Sequence, residues 1–491
     1  MDPTFFSTWM PPVVEHPHAW ALFVVYLVVT SALAWRGGQM TDSKEGFAVG
    51  TGKMHPAVAG VTLGACLASS ATFVIFPGFV YNDGLAALIG FSVPLIAGLL
   101  TGLLLFAPRF QDIGGTHKAL TVPHWLGARY GSAALRQLFA GLNVLNIAYL
   151  VLIAVGCGYV MEASLGIPYS ASVVLVVAFV FAYTGFGGAW AHAFTNTAQG
   201  LLMLVMAVVI FASGLRFWQD GSLHADLSST GLVADGSVLF GSMAEVWLVP
   251  FVMGIALTTQ PHLLTKALYV DGKRDLAKTI AIGIGTFTVF CLVLFAGAYA
   301  RLTLDPGIPQ DQVVARYLAE AFPIPAVGAA VSVAILAASM STMDGLLVAI
   351  SASVGNDLAP GKGSVKLNRA VLAGLALLTI AIALSPPKLV LILGQQGVYG
   401  LVAASAGPLV AGLFMPGRLR GGPAVITALV ALCVHFGLGV GAGALGLDLG
   451  PVSRNPGVAA ALAMLVSVPL ALATARLSAA PAEDEPRLST T

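Results

Sequence analysis

Long apolar runs divide the chain into thirteen segments of about 18 residues or more, close to the length that a helix needs to cross a bilayer. Several runs exceed 25 residues, so tilt, internal breaks or extension beyond the bilayer are expected. The pattern predicts an all-α polytopic membrane protein. The predicted spans are residues 18–35, 56–82, 85–107, 137–165, 170–188, 194–214, 243–270, 278–301, 325–357, 366–384, 389–415, 422–442 and 455–476.

Composition agrees with a chain that is surrounded by lipid. Hydrophobic residues make up 57% of the 491 residues and charged residues only 9%, against about 25% charged in an average soluble domain. The mean hydropathy is +0.89. The net charge of +1 gives no electrostatic reason to bind nucleic acid, and the composition fits neither a secreted disulfide scaffold nor a disordered regulator. We therefore expect the chain to be embedded in a lipid bilayer and to bind no nucleic acid.

The placement of Lys and Arg predicts the orientation in the plasma (inner) membrane. With thirteen spans the termini lie on opposite faces. If the N-terminus is outside, 18 of the 23 Lys and Arg residues fall in cytoplasmic segments and 5 in outer segments. This bias favours an outer N-terminus and a cytoplasmic C-terminus. The same assignment leaves no Lys or Arg in the middle of the membrane.

Polar, Pro-containing stretches interrupt spans 2 and 7, which are the first members of two consecutive sets of five. Lipid tolerates such breaks only where they line a cavity, and matching breaks in two halves are typical of inverted-repeat transporters. The alternative is that the Ser and Thr residues only pack helices together. The predicted organisation is an N-terminal outer segment with an extra helix and inner loop (1–55), a first inverted repeat (56–214), an outer loop (215–242), a second inverted repeat (243–415), two peripheral helices (416–476) and a disordered inner tail (477–491).

Span 9 carries the sequence ILAASMSTMDGLL, with Asp344 deep in the span. An ionised Asp at a helix centre costs about 2.5–3.5 kcal/mol on insertion scales. Because no Lys or Arg is expected at that depth, the carboxylate needs a cation, a proton or water, although a purely structural Asp remains an alternative. The hydroxyls of Ser341 and Thr342 and the carbonyl of Ala338 are neutral oxygens that suit a hard monovalent cation such as Na⁺.

Motifs spread over residues 40–420 resemble those of the sodium:solute symporters, which include bacterial proline, acetate and pantothenate permeases and the sodium–glucose carriers. The motifs that carry the resemblance are ASSATFVIFPG in span 2, LTVPHWLGARYG, YTGFGGAWAHAFTNTAQG, QPH in span 7 and the span 9 motif. The resemblance implies a leucine-transporter-type core of five plus five inverted helices. It also implies a sodium site built from the carbonyls of Ala65, Ala68 and Ala338 and the hydroxyls of Ser341 and Thr342.

The resemblance further implies that the solute binds at the breaks of spans 2 and 7, with span 11 closing one side. Gln395 or Gln396 is similar to the span 11 Gln that contacts sugar in the glucose carriers. The chain departs from proline permeases at Leu67, Met253 and Leu257, where those proteins carry Asp, Trp and Tyr.

The acid of a second cation site is also displaced relative to the family pattern. Family members with a second sodium often carry an Asp at the position of Asn196, whereas here Asp344 follows Thr342 by two residues. We therefore expect Asn196 and Asp344 to face each other and to share a second cation or a proton.

The expected solute pocket is small, hydroxylated and otherwise apolar, and favours a monocarboxylate or a compact amino acid. Sodium is the coupling ion, and no other cofactor is expected. Two other classes stay open: a proton-coupled carrier that uses Asp344, and an intramembrane enzyme, for which His192, His262 and His435 look too scattered. The oligomeric state is not readable from the sequence. The predicted solute-binding residues are Ser69, Ser70, Thr72, Phe73, Thr258, Thr259, Gln260, Gln395 and Gln396.

Overall fold

The computed structural model describes residues 16–41, 44–69, 71–358, 365–386, 390–417 and 419–478, and this part of the chain is helical throughout, without strands. Ser70, residues 1–15 and residues 479–491 of the predicted tail lie outside the described residues. The main helices are numbered in chain order: α1 Pro17–Gln39, α2 Pro56–Leu67, α3 Phe76–Gly90, α4 Val93–Thr116, α5 Val122–Tyr130, α6 Ala133–Leu142, α7 Ile147–Leu165, α8 Tyr169–Gly185, α9 Gly188–Ala212, α10 Val249–Leu257, α11 Pro261–Leu264, α12 Gly272–Phe290, α13 Phe295–Thr303, α14 Pro325–Ser353, α15 Val365–Ala383, α16 Val390–Phe414, α17 Gly421–Phe436 and α18 Pro456–Ser478.

Short helices and turns of π or 3₁₀ type complete the described backbone. They join or extend the main helices at Lys44–Val49, Gly50–Gly52, Ala71–Ile75, Asn143–Asn146, Leu215–Gln219, Ser222–Thr230, Ala244–Leu248, Thr265–Leu268, Cys291–Leu294, Val313–Ala321, Val354–Leu358, Gly437–Gly441, Ala442–Ala444 and Pro451–Arg454.

The membrane-spanning helices differ in length from the predicted runs. By length and composition, nine helices among the described residues qualify as spans, or ten if the bent pair 244–257 and 261–268 counts as one. Three apolar helices that lie in predicted spans are shorter than the limit, namely Pro56–Leu67, Tyr169–Gly185 and Ala370–Ala383, and the long segment Ala71–Thr116 covers parts of two predicted spans. The number thirteen therefore stays a prediction, although each predicted run coincides with helical backbone.

The two sets of five helices pack reciprocally. The first helix of the first set, α2, lies against α12, which is the second helix of the second set. In the same way α10, which opens the second set, lies against α4, the second helix of the first set. Both crossings depend on glycine. A Cβ at Gly64 would lie 2.8 Å from the Gly283 carbonyl, and a Cβ at Gly254 would lie 2.5 Å from the Leu95 carbonyl. Close approach through small residues is the usual way in which helices associate in lipid.

Each set of five opens with a broken span. The first break follows α2, where Ala68 leaves helical geometry with φ −101° and ψ 132°. The second lies at residues 258–260 between α10 and α11, and the helices on its two sides are bent by 61°. Pro261 starts α11, a position at which its missing N–H costs no helical hydrogen bond. The breaks expose polar backbone only where other helices surround it, as the bilayer requires.

Helix α14 occupies the middle of the bundle. It packs against α1, α7 and the pair α8 and α9, which meet at a kink at Gly188, and every residue from Val333 to Val348 is buried. A helix in that position presents its polar residues to other helices rather than to lipid. The Ser, Thr and Asp residues near the centre of α14 therefore face neighbouring helices and contribute to the candidate site.

Candidate sodium and solute site

Five oxygen atoms from α2 and α14 converge beside the first break. The Ser341 hydroxyl donates to the carbonyls of Ala65 at 3.2 Å and Ala338 at 2.8 Å. The Thr342 hydroxyl donates to the Ala68 carbonyl at 2.7 Å, and its oxygen lies 3.5 Å from that of Ala338. The structure thus brings together all the residues predicted for the sodium site.

The break in α2 is what makes one of these carbonyls available. In an uninterrupted helix the N–H of Ser69 would bond the Ala65 carbonyl, but here it donates to the Thr72 hydroxyl at 3.4 Å. The backbone at Ala68 is extended, so its carbonyl also turns away from the helix axis and meets Thr342. The resulting set contains three carbonyls and two hydroxyls and no charged group, a donor set of hard oxygens that fits an alkali cation.

A cavity of about 90 Å³ lies between the two breaks. A space of about 10–15 Å³ holds one water, so the cavity has room for a small solute. Apolar side chains form most of its wall, and a few polar groups are placed among them, as is usual for small-molecule sites. The polar residues on the wall are Cys66, Thr72, Tyr149, Gln260, His262, Gln395 and Tyr399.

Three predicted solute residues, Thr72, Gln260 and Gln395, line this cavity. Gln260 Nε2 donates to the Val398 carbonyl at 3.0 Å, which holds the second break against α16. Its Oε1 has no hydrogen-bond partner within the described part of the chain, and the same is true of Nδ1 of His262. Buried polar atoms normally have partners, so both atoms are available to a solute or to water.

The other predicted solute residues that are described lie off the cavity wall. Ser69 is one layer behind it, with its hydroxyl 2.9 Å from that of Tyr149. Phe73 packs on Phe290. The hydroxyls of Thr258 and Thr259, which lie in the second break, donate to the carbonyls of Ile255 and Ala256 in α10, and neither residue lines the cavity.

Gln396 is also off the wall, because it faces the opposite side of α16. Its side chain contacts Gly439, where an added Cβ would lie 2.8 Å from Nε2. Successive residues of a helix point about 100° apart, so only one of two neighbouring Gln residues reaches the cavity. Of the two predicted Gln residues, Gln395 is the one that lines the cavity.

A buried charge network lies one turn beyond the five oxygens along α14. Asp344 Oδ1 is 2.8 Å from His192 Nδ1, and His192 Nε2 is 2.6 Å from Lys266 Nζ. The hydroxyls of Tyr183 and Thr195 lie 3.0 and 3.3 Å from Asp344 Oδ2. Asp344, His192 and Lys266 are 0%, 2% and 3% exposed.

The expectation that no Lys or Arg lies at the depth of Asp344 is therefore wrong. If span 7 were straight, it would carry Lys266 out to the membrane surface. The 61° bend instead turns residues 261–268 inward, and Lys266 meets α9. His192, which comes from a different segment of the sequence than Asp344 and Lys266, lies between these two residues.

Asn196 lies between the charge network and the oxygen site. Its Nδ2 donates to the Ser341 carbonyl at 3.2 Å and lies 3.5 Å from His192 Nε2. Asn196 and Asp344 thus flank the same imidazole on two sides. Its amide nitrogen also contacts Cys66 Sγ at 3.3 Å, and Cys66 in turn lines the cavity.

Comparison with known proteins identifies the family. The profile of the sodium:solute symporter family matches residues 47–417, which is most of the chain. The chain belongs to the sodium:solute symporter family. Among curated relatives, this symporter is 26% identical to the sodium/proline symporter of Staphylococcus aureus over 429 residues, or 82% of each chain.

Solved structures show the same fold at low sequence identity. The symporter superposes on a Na⁺-coupled sialic acid symporter, solved in a substrate-bound outward-open state, with a TM-score of 0.73 at 20% identity over 94% of this chain and 98% of the other. It also superposes on a closed transporter of the nucleobase-cation-symport-1 family with a TM-score of 0.53 at 17% identity, over 88% and 95% of the two chains. The predicted leucine-transporter-type fold is confirmed, and the chain is a sodium-coupled solute symporter of the membrane.

Proposed function

We propose that this symporter couples one Na⁺, held at the five oxygens, to the movement of a small amino acid or monocarboxylate through the cavity between the two breaks. The observation that carries the proposal is that both sites share the end of α2. Ala65 and Ala68 contribute carbonyls to the oxygen set, whereas Cys66 and Leu67 between them line the cavity. Occupation of one site therefore fixes backbone that forms the other.

Sodium binding at this place joins α2 to α14. The hydroxyl protons of Ser341 and Thr342 now point at carbonyls, and they must rotate away when the oxygens turn their lone pairs to an ion. The ion then replaces two interhelical hydrogen bonds with a shared coordination shell. It shifts the conformational equilibrium only by its difference in affinity between the two states of the transporter.

The membrane potential adds to this driving force. Moving one elementary charge through 100 mV supplies about 2.3 kcal/mol. A site of neutral oxygens carries that charge only when sodium is bound, so the loaded and empty carriers respond differently to voltage. Alternating access by rocking of one helical bundle against the other is the mechanism expected of this fold.

The cavity wall favours a solute that carries a hydrogen-bond donor. Gln260 Oε1 is an acceptor without a partner in the described chain, and its amide orientation follows from the bond that Nε2 makes to Val398. An ammonium or hydroxyl group of the solute would satisfy this oxygen. The curated relative from Staphylococcus aureus is named for proline, but Leu67 and Leu257, which line this cavity, leave it more apolar than the proline pattern. A compact amino acid other than proline is the favoured cargo.

The orientation proposed for the symporter places the N-terminus outside and the C-terminus in the cytoplasm, on the distribution of Lys and Arg. A fluorescent protein fused to the C-terminus matures only in the cytoplasm, so bright cells support this orientation. Dark cells that contain the full-length fusion contradict it.

Uptake into proteoliposomes tests the proposed function. The full-length protein is reconstituted and offered a panel of radiolabelled small amino acids and monocarboxylates under an inward Na⁺ gradient, an inward proton gradient or neither. We expect accumulation of at least one amino acid that requires Na⁺ at fixed pH. Accumulation driven by the proton gradient with Na⁺ replaced by K⁺ would favour a proton-coupled carrier instead. Accumulation of monocarboxylates alone would reject the amine-bearing cargo.

A further inference from the structure

Asp344 is a fully buried carboxylate, and it must be neutralised by a bound cation, by a proton or by a fixed positive group. Its two oxygens are occupied by side chains of the protein. Oδ1 faces His192 Nδ1 at 2.8 Å, and Oδ2 lies near the hydroxyls of Tyr183 and Thr195. The compensating charge must therefore be sought beyond the imidazole.

The hydrogen bonds of His192 define its protonation. The Lys266 ammonium can only donate, so Nε2 at 2.6 Å accepts. The ionised carboxylate can only accept, so Nδ1 donates to it. A neutral imidazole with its proton on Nδ1 satisfies both contacts, whereas an imidazolium would place an N–H against the ammonium. The network then holds one ammonium and one carboxylate, and its net charge is zero.

Further contacts hold the Lys266 ammonium beside His192. Lys266 Nζ also donates to the Tyr269 hydroxyl at 3.2 Å and lies 4.4 Å from the centre of that ring. Gly345 leaves space for the imidazole, because a Cβ there would lie 3.1 Å from His192 Cε1. The titratable groups that face the network are Tyr26 of α1, Cys66 of α2, Tyr183 of α8, His262 of α11 and Tyr269.

We infer that Lys266 is a tethered counter-cation for Asp344, acting through His192, and that it sets the ion requirement of transport by supplying the positive charge that a second coupling ion would otherwise supply. The inference depends on the proposed function, because it takes the five oxygens as the site of the single ion that exchanges during transport. It assigns to Lys266 a positioning role, since the ammonium touches neither the five oxygens nor the cavity wall. Removal of the ammonium should then leave a carboxylate that recruits a cation from solution.

The test counts ions bound to purified full-length protein in detergent. Binding of ²²Na⁺ is measured to saturation, and proton release on Na⁺ addition is measured in weakly buffered solution. The wild type is expected to bind one Na⁺ per chain without proton release. K266M is expected to bind a second Na⁺ per chain, because a cation from solution replaces the lost ammonium. If the carboxylate takes up a proton before Na⁺ is added, the second Na⁺ displaces it and about one proton per chain is released. K266R keeps the charge and should match the wild type.

The double variant K266M/D344N keeps the inference testable even if one of the single variants does not fold. It removes both charges, so it is expected to bind one Na⁺ without proton release and to melt at a higher temperature than K266M or D344N. If K266M is too unstable to purify while the double variant is stable, the charge pairing is supported by that rescue. Two Na⁺ bound to the wild type, falling to one in D344N, would overturn the inference, as would a K266M protein with unchanged counts.

Failure of the proposed sodium site gives a different result. In that case the wild type binds no Na⁺, but the order of melting temperatures in the four proteins still reports the pairing of Lys266 with Asp344. Equal destabilisation by each single substitution, with no rescue in the double variant, would then overturn the inference by itself.

Discussion

The proposed sodium site and the charge network are neighbours on α14 but use opposite chemistry. The proposed site is made of five neutral oxygens around Ser341 and Thr342. The network begins at Asp344, two residues further on, and contains a carboxylate and an ammonium joined by an imidazole. If both assignments hold, α14 serves an exchangeable cation at the oxygens and a permanent one at Asp344. Neutral oxygens release an ion readily, whereas a tethered ammonium stays and leaves no net charge.

The largest expected effect comes from breaking the permanent pair. Asp344→Asn leaves the Lys266 ammonium without its counter-charge, and breaking a buried ion pair costs about 3–5 kcal/mol. We expect the melting temperature of the detergent-solubilised protein to fall by at least about 5 °C. The matched control is Asp112→Asn, which breaks an exposed pair with Lys273 at 3.2 Å and should change the melting temperature little. Equal effects of the two substitutions would contradict the difference between buried and exposed pairs.

The exchangeable site should respond in ion affinity rather than in stability. Ser341→Ala combined with Thr342→Ala removes two of five oxygens, and we expect the Na⁺ concentration for half-maximal uptake to rise about 10–100-fold, that is by about 1.4–2.8 kcal/mol. The solute KM should rise much less. Ser339→Ala is the control, since its hydroxyl donates to Ile335 within α14. An unchanged Na⁺ requirement in the double variant would count against the site.

A substitution on the wall of the solute cavity should change the affinity for solute without changing the affinity for Na⁺ or the melting temperature. Gln260→Leu removes an acceptor that faces the cavity while keeping the size of the side chain. We expect the solute KM to rise about tenfold, the equivalent of one net hydrogen bond of about 1.4 kcal/mol. The Na⁺ requirement at saturating solute should stay within about twofold. A shift of both constants by the same factor would show that Gln260 supports the sodium site instead.

The smallest effect is expected at the neighbouring pair on α16. Gln395→Leu alters the cavity wall and should raise the solute KM several-fold. Gln396 faces Gly439 and does not line the cavity, so Gln396→Leu should change the solute KM by less than about twofold. Uptake kinetics of the two variants, measured side by side, decide between the positions. A larger effect at Gln396 would place the solute elsewhere.

The residues alone predicted that the hydroxyls of span 9 meet carbonyls at the break of span 2, whereas the choice of Ala65 and Ala68 came from the resemblance to the symporter family. Ser341 and Thr342 are adjacent hydroxyl residues in an apolar helix, and the break near Ala68 follows from the run of Ser and Thr before Pro77. Backbone that leaves the helix must find partners in the protein, so convergence with another polar helix is a physical requirement rather than a coincidence.

The charge network was beyond sequence reasoning because it depends on a bend and on contacts between distant segments. Lys266 is 74 residues from His192 and lies at the end of a run that reads as a continuous span. A Lys that close to a loop is normally exposed at the membrane surface. The available signal was the Gln260-Pro261 break itself, which allows the following residues to leave the direction of α10.

The most direct test of the sodium site is the binding of ²²Na⁺ to the purified full-length protein and to the Ser341→Ala, Thr342→Ala double variant, without solute, in a potassium background. The account predicts saturable binding of one Na⁺ per wild-type chain and an affinity at least about tenfold weaker in the double variant. The same affinity in both proteins would contradict it.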